Sequence, residues 1–330
     1  MSNRQVRISW ETGSLWPRLK SQTNHGLETG ALQSIETDAE YIEENGIRFL
    51  VRILANLSRK EKAKSQQGQT IQGKTKPANP FLPYEPDLYV TDISETHLCL
   101  LNKFNVVDHH FLIVTREFES QENWLTLADF EALVRSFSEV DGLGFFNGGA
   151  IAGASQPHKH LQVIPLFSGV SALPITAAIT TATREDSGVH NSPSLPFKHA
   201  IAKFKESPVY ESQLDAEKPD THHKELFSAL AKQYLTSYHT LLTAMGVTSN
   251  TSTDIQWQGK QTAAYNLLCT RQWMMLVPRS QEKYADISVN SLGFAGSLLV
   301  RNQEKLEELK AIGPMTLLKK VACLVNPRGK

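Results

Sequence analysis

The 330-residue chain carries 34 basic and 34 acidic side chains, and this neutral balance argues against a general nucleic-acid binder, which carries a basic excess. At 40% hydrophobic and 21% charged it has an ordinary soluble composition. It shows neither an apolar run near the roughly 18 residues of a membrane span nor a signal-peptide core in Met1–Trp10. Three widely spaced cysteines, Cys99, Cys269 and Cys323, offer no disulfide framework and no Cys-x-x-Cys knuckle, so the reducing cytoplasm is the expected compartment.

In chain order, helices are expected around Ser14–Ser21 and Thr37–Glu44, followed by an alternating strand over Ile47–Leu54. The polar, Lys/Gln-rich stretch 58–79 reads as a mobile loop. Thr96–Leu101 and His110–Thr115 read as paired strands. Thr126 then caps a helix whose apolar positions Phe130, Leu133, Val134 and Phe137 recur at three and four. Gly142–Asn147 is a short strand entering a glycine turn, and His158–Leu166 is the strand that leaves it. Residues 168–196, rich in Ser, Thr, Ala, Gly and Pro, read as a long surface excursion able to cover a site. Leu226, Phe227, Leu230, Tyr234, Tyr238, Leu241 and Met245 mark one face of a long helix stopped by Gly246. Strands over Ala264–Thr270 and Trp273–Pro278 follow, and two helices close the chain after Asn302 and Gly313-Pro314.

The run Gly153-Ala154-Ser155-Gln156-Pro157-His158-Lys159-His160-Leu161-Gln162 is the most informative. On an extended strand, His158, His160 and Gln162 share one face, while Lys159 and Leu161 take the other. The small residues before them, with Asn147-Gly148-Gly149 upstream, let backbone approach a ligand closely. Such a turn suits phosphate: N–H groups hold its oxygens while one imidazole attacks phosphorus. Two buried structural histidines, or a His-x-His zinc site, are the competing readings. No carboxylate or cysteine nearby completes a zinc site, since Glu185 and Asp186 are the next acids downstream.

Gly-Ala-Ser-Gln-Pro-His-x-His-x-Gln resembles the active-site strand of the ATP adenylyltransferases, or diadenosine tetraphosphate (Ap4A) phosphorylases, in the histidine-triad superfamily. Asn79–Tyr84, Leu101–Val106, His110–Arg116, Tyr265–Leu268, Val277–Ser280 and Asn290–Gly296 are similar in order and spacing, so the likeness covers about Gly46 to Gly313. It implies an α+β histidine-triad-like fold, a mostly antiparallel sheet flanked by helices. It implies a two-lobed catalytic unit, about 1–200 and 201–330, and a monomer.

The implied activity is phosphorolysis of Ap4A to ADP and ATP through AMP held on a histidine. His160 would be the nucleophile, His158 would orient the site, and Gln162 would donate to the phosphate. Asn147, Gly153, Ala154, Ser155 and Gln156 would hold the phosphates. Lys60, Asn102 and Lys103 would border the nucleotide from the first half, and Thr270, Met275 and Arg279 from the second. His109 and His110 are expected to flank a strand start without doing chemistry. No covalent cofactor is implied; a divalent cation such as Mg2+ can accompany the polyphosphate.

Hexose-1-phosphate uridylyltransferases share the His-x-His-x-Gln strand, but many carry a Cys-x-x-Cys site and a proline where this chain has Lys159. A side activity with ADP and sulfate would use the same intermediate. A non-catalytic nucleotide sensor is the reading from another class, and the intact His158, His160 and Gln162 weigh against it. Finally, Leu98–Arg116 and Tyr265–Arg279 echo each other as strand, turn, strand and Val-x-Arg, which suggests a duplicated half-fold.

Overall fold

The computed structural model describes residues 10–54, 79–166, 173–186, 188–205, 210, 220–248 and 257–324. Lys60, residues 58–78 of the polar stretch and part of 168–196 lie outside them.

Helix α1 (Leu15–Thr29) ends on Gly30 at φ 74°, a left-handed cap that suits glycine. The expected helix over Thr37–Glu44 is instead strand β1 (Thr37–Glu44), paired antiparallel with β2 (Ile47–Leu54). Asn45 and Gly46, both at positive φ, form the two-residue turn that joins them. This turn chemistry and the long apolar partner override the helix-favouring Ala and Glu residues of β1.

A ten-stranded sheet organises the molecule. Its first half contains β3 (Tyr89–Asp92), β4 (His97–Leu101), β5 (Phe111–Thr115), helix α2 (Leu127–Glu139), β6 (Gly142–Gly148) and β7 (His160–Pro165). Helix α3 (Thr176–Thr180) then leads to β8 (Thr183–Arg184), β9 (His190–Asn191) and β10 (Ala200–Lys203). Helix α4 (Asp220–Ala244), β11 (Tyr265–Cys269) and β12 (Trp273–Pro278) complete the second half. The 168–196 stretch is therefore not wholly a surface excursion: it holds α3 and the last two strands at one end of the sheet, and it buries Ile175, Ala178 and Ile179.

Read across the sheet the order is β3-β4-β5-β7-β6-β11-β12-β10-β9-β8. Outward from the central β6–β11 pair, each half repeats one topology: β6, β7, β5, β4, β3 matches β11, β12, β10, β9, β8, with α2 and α4 in equivalent places. The duplication is present, but its register corrects the sequence echo. Tyr265–Arg279 is equivalent to the β6–β7 pair, and Leu98–Arg116 is equivalent to β9–β10. The repeated strand order restarts between Pro165 and Thr183.

Helices α2 and α4 pack on one face through Phe130, Leu133, Phe137, Tyr234, Tyr238 and Leu241. On the other face, Phe145, Leu268, Met275 and Val277 lie under a second core built by the chain ends. This layer contains β13 (Lys283–Tyr284), β14 (Ile287–Ser288), α5 (Ser291–Phe294), β15 (Ser297–Val300), α6 (Gln303–Ile312) and α7 (Pro314–Val321). Strand β15 lies parallel to β2, tying the end of the chain to its beginning. Among the described residues, no helix is long and apolar enough to cross a membrane.

Candidate active site

Strand β7 lies between β5 and β6, with Leu112 and Phe145 both opposite Gln162. Period-two alternation puts His160 and Gln162 on the face away from α2, together with Leu98, Leu100, His110, Leu112 and Val114 of the neighbouring strands. Lys159 points the other way, its Nζ 2.7 Å from Asp129 on α2 and 2.9 Å from Glu119. His158 precedes the regular strand and forms an isolated bridge to Ser120.

The hydrogen bonds determine the tautomers of both histidines. Asn79 Oδ1 accepts the Phe81 N–H (3.0 Å), so its Nδ2 donates to His158 Nδ1 (3.0 Å). His158 Nε2–H donates in turn to the Thr115 carbonyl (2.8 Å). With both ring nitrogens engaged, His158 has no lone pair free for a metal or for phosphorus. The His158 carbonyl accepts from His160 Nδ1–H (2.8 Å). A carbonyl can only accept, so the proton sits on Nδ1, and the Nε2 of His160 keeps its lone pair. Burial pushes the His160 pKa down to about 4, against a smaller opposing effect of that hydrogen bond. The imidazole is therefore neutral at pH 7, held in one orientation, with its free lone pair on Nε2. Phe81 packs edge-on against both rings, with centroids 5.6 and 5.3 Å away.

The turn before β7 runs through Gly149 and Gly153, both at φ 88°. A Cβ on Gly153 would lie 2.9 Å from the Val289 carbonyl oxygen, so the turn can lie this close only with glycine there. Gly153 and Ala154 spend their N–H groups on Ala150 and Gly149. The N–H groups of Ser155 and Gln156 have no partner among the described residues. Gln121 is stitched in where β6 and β7 separate: its Nε2 donates to the Asn147 and His160 carbonyls, and its Oε1 accepts the His160 N–H. Asn147 Oδ1 accepts from Asn266 Nδ2 (2.9 Å), Ser291 N–H (3.0 Å) and Ser291 Oγ–H (2.7 Å).

His110, set aside as a strand flank, belongs to this face. Its Nδ1 accepts from Asn102 Nδ2 (3.0 Å), and its Nε2 is buried without a hydrogen-bond partner. Burial pushes its pKa down to about 4; neighbouring Gln162 favours its protonated form and His160 disfavours it. His110 thus aims a neutral N–H donor into the site. Its alternation with Leu112 and Val114 was a signal already present in the sequence.

The other expected residues are more scattered. Asn102 spends its amide N–H on His110, and Lys103 pairs with Glu85 at 2.7 Å. Thr270 lies at the opposite strand end from Asn147, where its hydroxyl accepts the N–H groups of Gln272 and Trp273. Met275 is fully buried three strands across from Gln162, roughly 14 Å at normal strand spacing. Arg279 is buried, its guanidinium taken up by Asn266 and by the carbonyls of Ala152, Val289, Val321, Gln281 and Glu282. None of these three is exposed on the histidine face. Asn79, Thr115, Gln121, Asn266 and Ser291, given no role from sequence, hold the groups that are.

The family described as Ap4A phosphorylase N-terminal domain matches residues 5–181, and the ATP adenylyltransferase C-terminal domain matches residues 193–324. Diadenosine 5',5'''-P1,P4-tetraphosphate phosphorylase 2 of Saccharomyces cerevisiae is 29% identical over 257 residues, covering 71% of this chain and 72% of that protein. Protein APA1 of the same yeast is 24% identical over 305 residues, 86% of this chain and 85% of that protein. The crystal structure of yeast Ap4A phosphorylase Apa2 superposes with a TM-score of 0.67 at 20% identity, covering 98% of each chain, which establishes the shared fold. The chain belongs to the Ap4A phosphorylase and ATP adenylyltransferase family of nucleotidyl-transferring enzymes.

Proposed function

We propose that this enzyme catalyses the reversible phosphorolysis of Ap4A, with AMP carried on Nε2 of His160. The observation that carries this reading is the His158 carbonyl accepting from His160 Nδ1, which leaves the other nitrogen free to attack. Nε2 attacks the α-phosphorus, an N–P bond forms, and the P–O bond to ATP breaks. ATP departs as an anion that needs little general-acid help. Inorganic phosphate then attacks the same phosphorus, the N–P bond breaks, and ADP leaves with His160 restored.

The other side chains divide the work. Ser155 and Gln156 N–H groups, the Asn147 amide and His110 Nε2–H are the donors for the phosphate oxygens. The apolar floor of Leu98, Leu100, Leu112 and Val114 beside them supports a nucleoside. Sulfate in place of phosphate would use the same adduct.

The test is a trapping experiment with radiolabelled Ap4A, with and without phosphate. Acid-labile AMP on the protein and phosphate-dependent ADP are expected. His160→Asn should abolish both while leaving nucleotide binding largely intact. An adduct at any other residue refutes the reading.

A further inference from the structure

Arg279 lies one layer behind the site, bonded to Asn266, which in turn bonds Asn147. A guanidinium can only donate, so the Asn266 atom 2.6 Å from its Nη1 must be the carbonyl oxygen. That turns Asn266 Nδ2 toward Asn147, 2.9 Å away. The Asn147 atom at that point also receives the Ser291 backbone N–H at 3.0 Å. Both groups are donors there, so the receiving atom must be oxygen, and the Asn147 amide NH2 is left facing away from them. That nitrogen has no partner among the described residues and is not sealed from solvent. Alternation along β6 from Phe145 puts Asn147 on the same face as Gln162, and just beyond the last β6–β7 pair Gln121 Nε2 bridges the Asn147 and His160 carbonyls.

We propose that Arg279 and Asn266 form a positioning relay that sets which end of the Asn147 amide meets the phosphate being transferred. A turned-over Asn147 would set NH2 against two N–H donors and present a carbonyl oxygen to an anion. Arg279 is a firm starting point, because five backbone carbonyls hold it in place. Its pKa, pushed down to about 10 by burial, still leaves it charged at neutral pH. The relay crosses the seam of the duplicated fold: Asn147 on β6 pairs directly with Asn266 on β11. Strand β12, the equivalent of the histidine strand, carries no titratable side chain. In this arrangement the second half contributes orientation to the chemistry of the first.

The proposal rests on Asn147 facing phosphate, and the test separates the two claims. Asn266→Asp keeps the bond to Arg279 and replaces by an acceptor the donor that faces Asn147 and the Ala152 carbonyl, each 2.9 Å away. Phosphorolysis kcat should fall roughly 10- to 100-fold, with KM for Ap4A changed less than about threefold. In an Asn147→Ala background the same substitution should alter kcat less than about twofold, because the relay has nothing left to orient. Should Asn266→Asp fold poorly, Asn266→Ala is judged by the same comparison, with an expected loss of about tenfold in the native background alone. A folded Asn266 variant with wild-type kcat, or a loss undiminished in the Asn147→Ala background, overturns the relay alone. Wild-type kcat in Asn147→Ala overturns the phosphate-facing reading and the relay with it.

Discussion

His160 reaches neutral pH already deprotonated, and that governs how its chemistry responds to acid. In the proposed mechanism, protonating Nε2 removes the attacking lone pair, and burial delays protonation until about pH 4. The rate of AMP loading, followed by rapid quench, should stay level from pH 8 to 6 and fall toward about pH 4. An acid limb near the ordinary histidine pKa of about 6.5 would contradict the burial argument. Gln162, half-buried beside His110, is the other residue with a distinctive expectation. Gln162→His would place a titratable base near the intermediate, able to activate water. AMP release should then rise at the expense of ADP, measured as a product ratio by chromatography. At this scale the sequence was legible where alternation declares a face, as in His160 and Gln162, while His158 precedes the regular strand. The burial of Arg279 and Met275 was not legible, because a motif match carries no information on whether a side chain lies at a surface or a layer behind it.

Behind the histidine strand, the elements are fastened by a buried charge cluster. Asp129, in the first turn of α2, accepts from Thr126 N–H (2.7 Å) and Oγ–H (2.8 Å), from His97 of β4 (3.0 Å) and from Lys159 (2.7 Å). Burial alone would raise its pKa, but His97 and Lys159 outweigh it and hold the carboxyl well below the usual carboxylate range. Lys159→Met would leave that carboxylate underpaired in a dry interior, at a cost of roughly 3–5 kcal/mol in urea unfolding. Loss of stability below about 1 kcal/mol would mean that the cluster relaxes around the substitution. Element-level reading from sequence succeeded for α2, α4, β5 and β12, whose periodicity spans several residues. It failed for β8 and β9, which are two residues each and carry no period at all. For β1 the Asn45-Gly46 turn was the deciding signal, and local propensity concealed it.

At the scale of the whole molecule, neutral buried histidines make stability depend on acid. His110 and His160 both titrate near pH 4 when folded, against about 6.5 in an unfolded chain. As pH falls, the unfolded chain takes up protons first, so these groups leave stability intact above about pH 6.5 and erode it down to about pH 4. Each can remove up to about 3 kcal/mol across that window. Asp129 adds to the loss below the ordinary carboxylate range, because its folded pKa is depressed. Denaturant midpoints should fall steadily from pH 6.5 to 4. His110→Asn should flatten part of that slope.

The central β6–β11 pairing also bears on how the protein tolerates being cut. Five register pairs, Tyr265↔Gly148 to Cys269↔Gly144, join the halves into one continuous hydrogen-bonded ribbon. A truncated product ending before β11 would present the β6 backbone, flanked by Phe145 and Phe146, as a raw hem to any neighbouring chain. Proteolytic nicking or premature termination of translation should therefore yield insoluble material instead of a smaller working catalyst, even though every histidine of the reactive strand would survive in it.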